Sequence, residues 1–127
     1  DHPIVWVDTA ARVPEIGRFD PARMRELFVS HQDRILFGTD LGITDTSLAL
    51  GSGPPYEPGK KQIELFFTST WRYFETEDRD FEHPTPIQGD WKIDGIGLPC
   101  DVLEKVYHLN IETLLGLDPL DTSPADG

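Results

Sequence analysis

The chain has 127 residues with 23 acidic and 11 basic side chains, a net charge of −12, which fits one acidic domain. A phosphate backbone calls for a basic face, so nucleic acid is not an expected partner, and no polybasic segment is present to anchor the chain on a membrane. The hydrophobic fraction of 38%, with three Trp and seven Phe, suffices for a packed core. The longest apolar runs, at 4–7 and 35–37, fall far short of the ~20 residues of a spanning helix.

The sequence opens Asp1-His2-Pro3, with neither an initiating Met nor a signal-peptide pattern, and enters an apolar run at once. It is therefore expected to begin inside a longer protein. Ile4-Val5-Trp6-Val7 is short, apolar and mostly β-branched, which predicts a strand covered on both faces, as in a parallel sheet. It ends in Asp8-Thr9. Asp20-Pro21 supplies an N-cap acid and a proline at the first helical position, predicting a helix to about residue 31 with Met24, Leu27 and Phe28 on its apolar face. Ile35-Leu36-Phe37 predicts a second buried strand, ending in Gly38-Thr39-Asp40. A strand, helix, strand unit of this kind closes as a right-handed crossover with parallel strands, so Asp8 and Asp40 are expected at one carboxyl edge.

Residues 41–59 read as a long loop punctuated by Gly-Ser-Gly-Pro-Pro at 51–55, a length that in a compact domain usually serves function. A helix is expected from about Lys60 to Phe74, with Ile63, Phe66, Phe67, Trp71 and Phe74 on its core stripe. The acidic stretch 75–82 lacks the alternating ligands and central Gly of a calcium loop and reads as a solvated turn. Pro84 and Pro86 keep the next stretch irregular, and Trp91-Lys92-Ile93 forms a short extended piece. Asp101 is expected to cap a helix that buries Leu103, Val106 and Tyr107. Asn110 is expected to cap a last helix ending at Gly116. Residues 118–127 form an acidic tail expected to fray, which leaves 1–117 as the structured unit.

Candidate chemistry concentrates at the carboxyl edge, where α/β folds place their ligands. A strand-end carboxylate such as Asp40 can bind a divalent cation or take a proton from a metal-bound water, and it can equally cap a turn. Arg12 can clamp a substrate carboxylate and Asp8 can orient a neighbour, or the two can form a local ion pair. His31 and His108 fall in the last turns of helices, where a cation complements the dipole. His2 precedes its strand, His83 reads as a surface loop residue, and no His-x-His pair is present. Cys100 has no partner for an internal disulfide, which points to a reducing compartment and hence the cytoplasm. A small buried residue is its expected role.

Ile-Leu-Phe-Gly-Thr-Asp at 35–40, Val-Asp-Thr-Ala at 7–10 and Val-Tyr-His-Leu-Asn-Ile-Glu-Thr-Leu-Leu-Gly-Leu at 106–117 together resemble the carboxyl-terminal portion of the amidohydrolase superfamily. The branch they resemble is the amidohydrolase-related group of metal-dependent TIM-barrel hydrolases, which also contains decarboxylases of the aminocarboxymuconate-semialdehyde type. The resemblance implies an α/β fold, namely the carboxyl-terminal part of a TIM (β/α)8 barrel. Residues 4–7 would be strand seven, 20–31 helix seven, 35–40 strand eight and the Asn110 segment the final helix.

It further implies that Asp40 binds or faces a catalytic divalent metal, zinc in the first instance, and acts as ligand and general base on a small-molecule substrate. Asp8 and Arg12 would then make second contacts to that substrate. The family's His-x-His and its other histidines are absent, as expected if more than half of a ~250-residue barrel lies upstream. On that reading the missing part of the barrel is the obligatory partner, self-association into a homo-oligomer stays open, and the isolated chain is inactive without a tight zinc site. Two alternatives remain: a decarboxylase of the same superfamily, and a complete, non-catalytic α/β binding module.

Overall fold

The computed structural model describes residues 4–51, 59–85 and 89–118. His2, the punctuation beyond Gly51, Pro86 and the tail after Asp118 lie outside the described residues. Within them the chain is a small mixed α/β structure with three two-stranded sheets. Strand β1 (Val7–Asp8) and β2 (Ile35–Leu36) are parallel, Val7 opposite Ile35 and Asp8 opposite Leu36. Between them run α1 (Val13–Ile16) and α2 (Pro21–Ser30). Asp20 caps α2 as its sequence position predicts, its carboxylate accepting from Arg23 N at 2.8 Å.

The two edges of β2 are both occupied. Toward β1, the carbonyls of Arg34 and Leu36 accept from Val7 N and Thr9 N at 3.1 and 3.0 Å. Alternate residues face the other way: Phe37 N donates to Val106 O at 2.9 Å, and Ile35 O accepts from Asn110 Nδ2 at 2.8 Å. That second edge is covered by a helical segment made of α4 (Cys100–Glu104), a π-helical turn (Lys105–Leu109) and α5 (Asn110–Leu115). In the π turn Asn110 N reaches back five residues to Lys105 O. The widened turn offers the Val106 carbonyl to the strand. Gly116 ends α5 at φ +63°, the left-handed conformation that glycine adopts without Cβ strain.

Several sequence expectations change at this level. Regular pairing starts only at Val7, and Ile4, Val5 and Val7 are 87%, 50% and 54% exposed, because β1 has a described neighbour on one edge alone. The expected loop after Asp40 contains an antiparallel hairpin, β3 (Leu41–Ile43) with β4 (Leu48–Leu50), closed by Thr44, whose hydroxyl contacts Ser47 Oγ at 2.7 Å. Neither Asp101 nor Asn110 is a helix cap. Pro99 precedes the first turn, and Asn110 lies inside the segment with its amide turned onto Gln32 O and Ile35 O. In α2, Phe28 is buried but Leu27 is 47% exposed.

Helix α3 (Lys60–Glu75) has the expected extent, but its buried face is Phe66, Ser69, Thr70, Tyr73 and Phe74. The stripe is rotated toward the hydroxyl residues because Trp71 lies along the flank against Phe67, ring centroids 5.8 Å apart. The extended piece is real: β6 (Lys92–Ile93) pairs antiparallel with β5 (Phe81–Glu82). The core joins these parts through aromatic contacts, with Phe74 edge-to-face against Phe37, Tyr73 and Tyr107 and tilted against Phe28. No described helix is long and apolar enough to cross a membrane.

Two predictions follow from this packing. Asn110 is buried and serves two carbonyls, so Asn110→Ala should lower stability by about 2–3 kcal/mol, read as a lower urea midpoint at unchanged slope. Burial raises the Tyr73 phenol well above its ordinary value, and burial followed by the Glu75 hydrogen bond and charge does the same to Tyr107. The folded state therefore keeps protons that the unfolded chain releases above about pH 10, so stability is unaffected by these groups below that pH and falls as pH climbs beyond it. In an alkaline titration, two of the three tyrosines should form phenolate only together with loss of the far-ultraviolet dichroism.

Candidate functional site

Parallel pairing turns the carboxyl ends of β1 and β2 the same way, and Thr9 carries the pairing one step past the last ladder bond. Its Oγ donates to Gly38 O and accepts from Gly38 N, both at 3.1 Å. A side chain thus continues the sheet where the backbones diverge. Gly38 suits that approach, since a Cβ there would stand 3.1 Å from Ala10 Cβ, a tight contact. Asp8 thus closes β1 beside Leu36, and Asp40 follows four residues past Leu36.

The rim is made of unusual backbone. Ala11 and Asp40 have φ of +54° and +59°, the left-handed region that non-glycine residues rarely occupy. Asp tolerates this conformation through its short polar side chain, whereas Ala11 holds it at a cost of order 1 kcal/mol. Asp8 Oδ1 accepts from Ala10 N at 2.9 Å, so its carboxylate orients its own turn. No ion pair joins Asp8 to Arg12, which is exposed and has no salt-bridge partner among the described residues. Asp40 is exposed and its carboxylate contacts no described side chain or amide. Among the described residues no hydrogen bond or ion pair joins Asp8, Arg12 and Asp40 to one another.

The histidines are distributed elsewhere. His31 caps α2 and its Nδ1 lies 3.1 Å from Leu27 O. His108 sits in the π turn, not at a helix end, with Nδ1 2.9 Å from Glu112 and Nε2 4.0 Å from Glu104. His83 is the largest departure: it is 1% exposed, not a surface loop residue. Its ring stacks on Trp91 at 4.6 Å, and Trp91 Nε1 in turn donates to Pro14 O at 3.0 Å. Because Thr85 N donates to His83 Nδ1 at 3.3 Å, the ring proton belongs on Nε2, which donates to Gly89 O at 3.0 Å. Cys100 is exposed rather than buried, because it opens the first turn of α4.

This arrangement folds Pro84 and Thr85 against the strand ends. They close a crevice with Thr9, Gly38 and Thr39 from the rim and with Phe66 and Thr70 from α3. The sequence held one signal for it, Thr9 directly after β1 and Thr39 three residues after β2, and none for the contribution of residues 83–85. Among the described residues no group of three or more His, Cys, Asp or Glu side chains is placed to hold a metal ion. Asp40 offers a single hard oxygen ligand, so the described side chains do not by themselves fit a catalytic zinc, which takes three protein ligands and an open position.

Comparison with family models, with curated proteins and with solved structures finds no match to this chain.

The Thr9 bridge is testable by stability. Thr9→Val keeps the shape but leaves the Gly38 amide unpaired against a buried methyl, so unfolding free energy should fall by about 1–2 kcal/mol. Thr9→Ser, which retains the hydroxyl, should recover most of that loss in the same urea titration.

Proposed function

We propose that this chain is the carboxyl-terminal part of a metal-dependent TIM-barrel hydrolase of the amidohydrolase type, with Asp40 as its contribution to the catalytic centre. The observation that carries the reading is the shared edge. Two parallel strands, fastened past their ends by Thr9, have their carboxyl ends side by side, Asp8 closing one and Asp40 four residues beyond the other, and barrel enzymes keep their reacting groups at such an edge. Further support comes from Val7 of β1, an apolar residue exposed on a parallel strand of a kind ordinarily covered on both faces, and from the exposed Ile4 and Val5 that lead into it.

Asp40 is well placed for the work of a base. Its carboxylate is free of internal partners among the described residues, so accepting a proton from an attacking water breaks no existing contact. Arg12, on the same edge and without an ion-pair partner among the described residues, is the group that would hold a substrate carboxylate through a forked pair of hydrogen bonds. The remaining ligands of a divalent ion, zinc in the first instance, would have to come from other strands of the barrel, and no step through the metal is derived from this chain. Arg12, without an ion-pair partner among the described residues, also favours a second reading, loss of carbon dioxide from a carboxylate substrate at the same centre.

The test uses the protein encoded by the complete reading frame. Asp40→Asn should reduce turnover about 100-fold or more on whichever ester, amide or carboxylate substrate the wild type accepts. Product analysis separates hydrolysis from carbon dioxide release. Near-normal turnover by the variant, or a reading frame that supplies no further histidine-bearing strands, would reject the proposal.

A further inference from the structure

A second cleft lies between α3 and β5 and shares no residue with the crevice at the strand ends. Its volume of about 400 Å³ is in the range of small-molecule sites. Ser69 is its unusual member. The residue is 4% exposed, its hydroxyl makes no hydrogen bond among the described residues, and its oxygen is not sealed from solvent, so the opening left to it is the cleft that it lines. Helical hydroxyls often return to the carbonyl four residues back, as Thr68 does to Glu64 O at 2.6 Å and Thr70 to Phe66 O at 2.7 Å. Ser69 keeps its donor and lone pairs unused.

The charges around the cleft are unevenly answered. Arg72 Nε donates to Asp78 at 2.6 Å, and its guanidinium lies 4.5 Å over the Phe81 ring. Glu82 pairs with Lys92 at 3.4 Å. The Asp80 carboxylate, which also lines the cleft, makes no hydrogen bond or ion pair among the described residues. Its backbone is held at φ +53°, in the left-handed region. Asp94 fixes that conformation, one carboxylate oxygen accepting from Asp80 N at 2.8 Å and the other from Arg79 at 3.2 Å. A costly backbone conformation pinned in this way beside a cleft is the usual mark of a built site.

We infer that this cleft binds a small organic cation, a primary ammonium carried on a short apolar chain. An ammonium has three donors and no acceptor, matching the free Asp80 carboxylate and the unused Ser69 oxygen, while Leu65 and Phe81 offer the apolar wall for the chain. A bare metal ion is not served, because no group of three or more His, Cys, Asp or Glu side chains among the described residues is placed to hold one. An anion would meet an unanswered carboxylate on a chain of net charge −12. The inference is independent of the proposed hydrolase centre, with which the cleft shares no residue.

Calorimetric titration of the protein from the complete reading frame with n-butylammonium, n-butanol and butyrate, at low ionic strength, tests it. The expected result is saturable binding of n-butylammonium with Kd of order 1 mM, about fivefold weaker binding of the alcohol and none of butyrate. Asp80→Asn keeps a residue that tolerates the left-handed backbone and should weaken n-butylammonium about fivefold, and Ser69→Ala about threefold. Asp40→Asn should leave it unchanged. Heat that does not saturate, equal binding of the alcohol, or wild-type affinity in Asp80→Asn would overturn the site. A loss confined to Asp40→Asn would overturn it too, by moving the amine to the strand ends.

Discussion

The backbone of β2 is hydrogen bonded along both edges, to β1 through Arg34 and Leu36 and to a helix through Ile35 and Phe37. Strands seldom use helices this way, because an α-helix has consumed its own donors and acceptors and offers a strand only side chains. Here one asparagine amide and one π turn supply what a neighbouring strand would otherwise supply. Asn110 gives a donor to Ile35 O, and the π turn gives an acceptor to Phe37 N. The ion pair of Lys105 with Asp33, 2.7 Å apart at the surface, lies beside these contacts and adds little to them.

Once the helical segment is fixed on β2, the core follows. Tyr107 is brought against Phe37 with ring centroids 5.0 Å apart, and both meet Phe74 of α3. Helix α3 in turn positions the chain that leaves it. The chain returns through the His83–Trp91 stack and is tied by Trp91 to Pro14 beside the first strand. The strand ends are thereby joined by three distant parts of the sequence, and Ala11, in its left-handed conformation, lies beside that scaffold of buried aromatic rings and backbone ladders.

How much of this the residues announce depends on whether the signal is local. The cap of α2 by Asp20, the span of α3, the parallel sense of β1 and β2 and the stop at Gly116 are all written within a few residues and are where the pattern puts them, whereas of the strand expected at 4–7 only Val7 lies in β1. The hairpin after Asp40 is less visible, since Leu41–Ile43 and Leu48–Leu50 are too short to alternate clearly. The roles of Asn110, His83 and Cys100 depend on partners 75, 6 and more residues away or on a surface that only the fold defines. Asn110 looks like a cap because asparagine usually is one in such a place. What overrides that preference is the unpaired carbonyl of Ile35, which no local pattern reveals. For the rim, the parallel sense of β1 and β2 was legible from the strand, helix, strand order, whereas the bridge by Thr9 and the approach of Thr85 were not.

The same alternation that turns Ile35 and Phe37 toward the helix turns the amides of Trp6 and Asp8 toward the outer edge of β1, where no described strand pairs. Native-state hydrogen exchange resolves the two edges directly. The amides of Leu36 and Phe37 should both be protected, close to the level of global unfolding, while those of Trp6 and Asp8 exchange orders of magnitude faster. If the Phe37 amide exchanges as rapidly as that of Asp8, the helix does not serve as the second neighbour of β2, and the scaffold described for the rim is wrong.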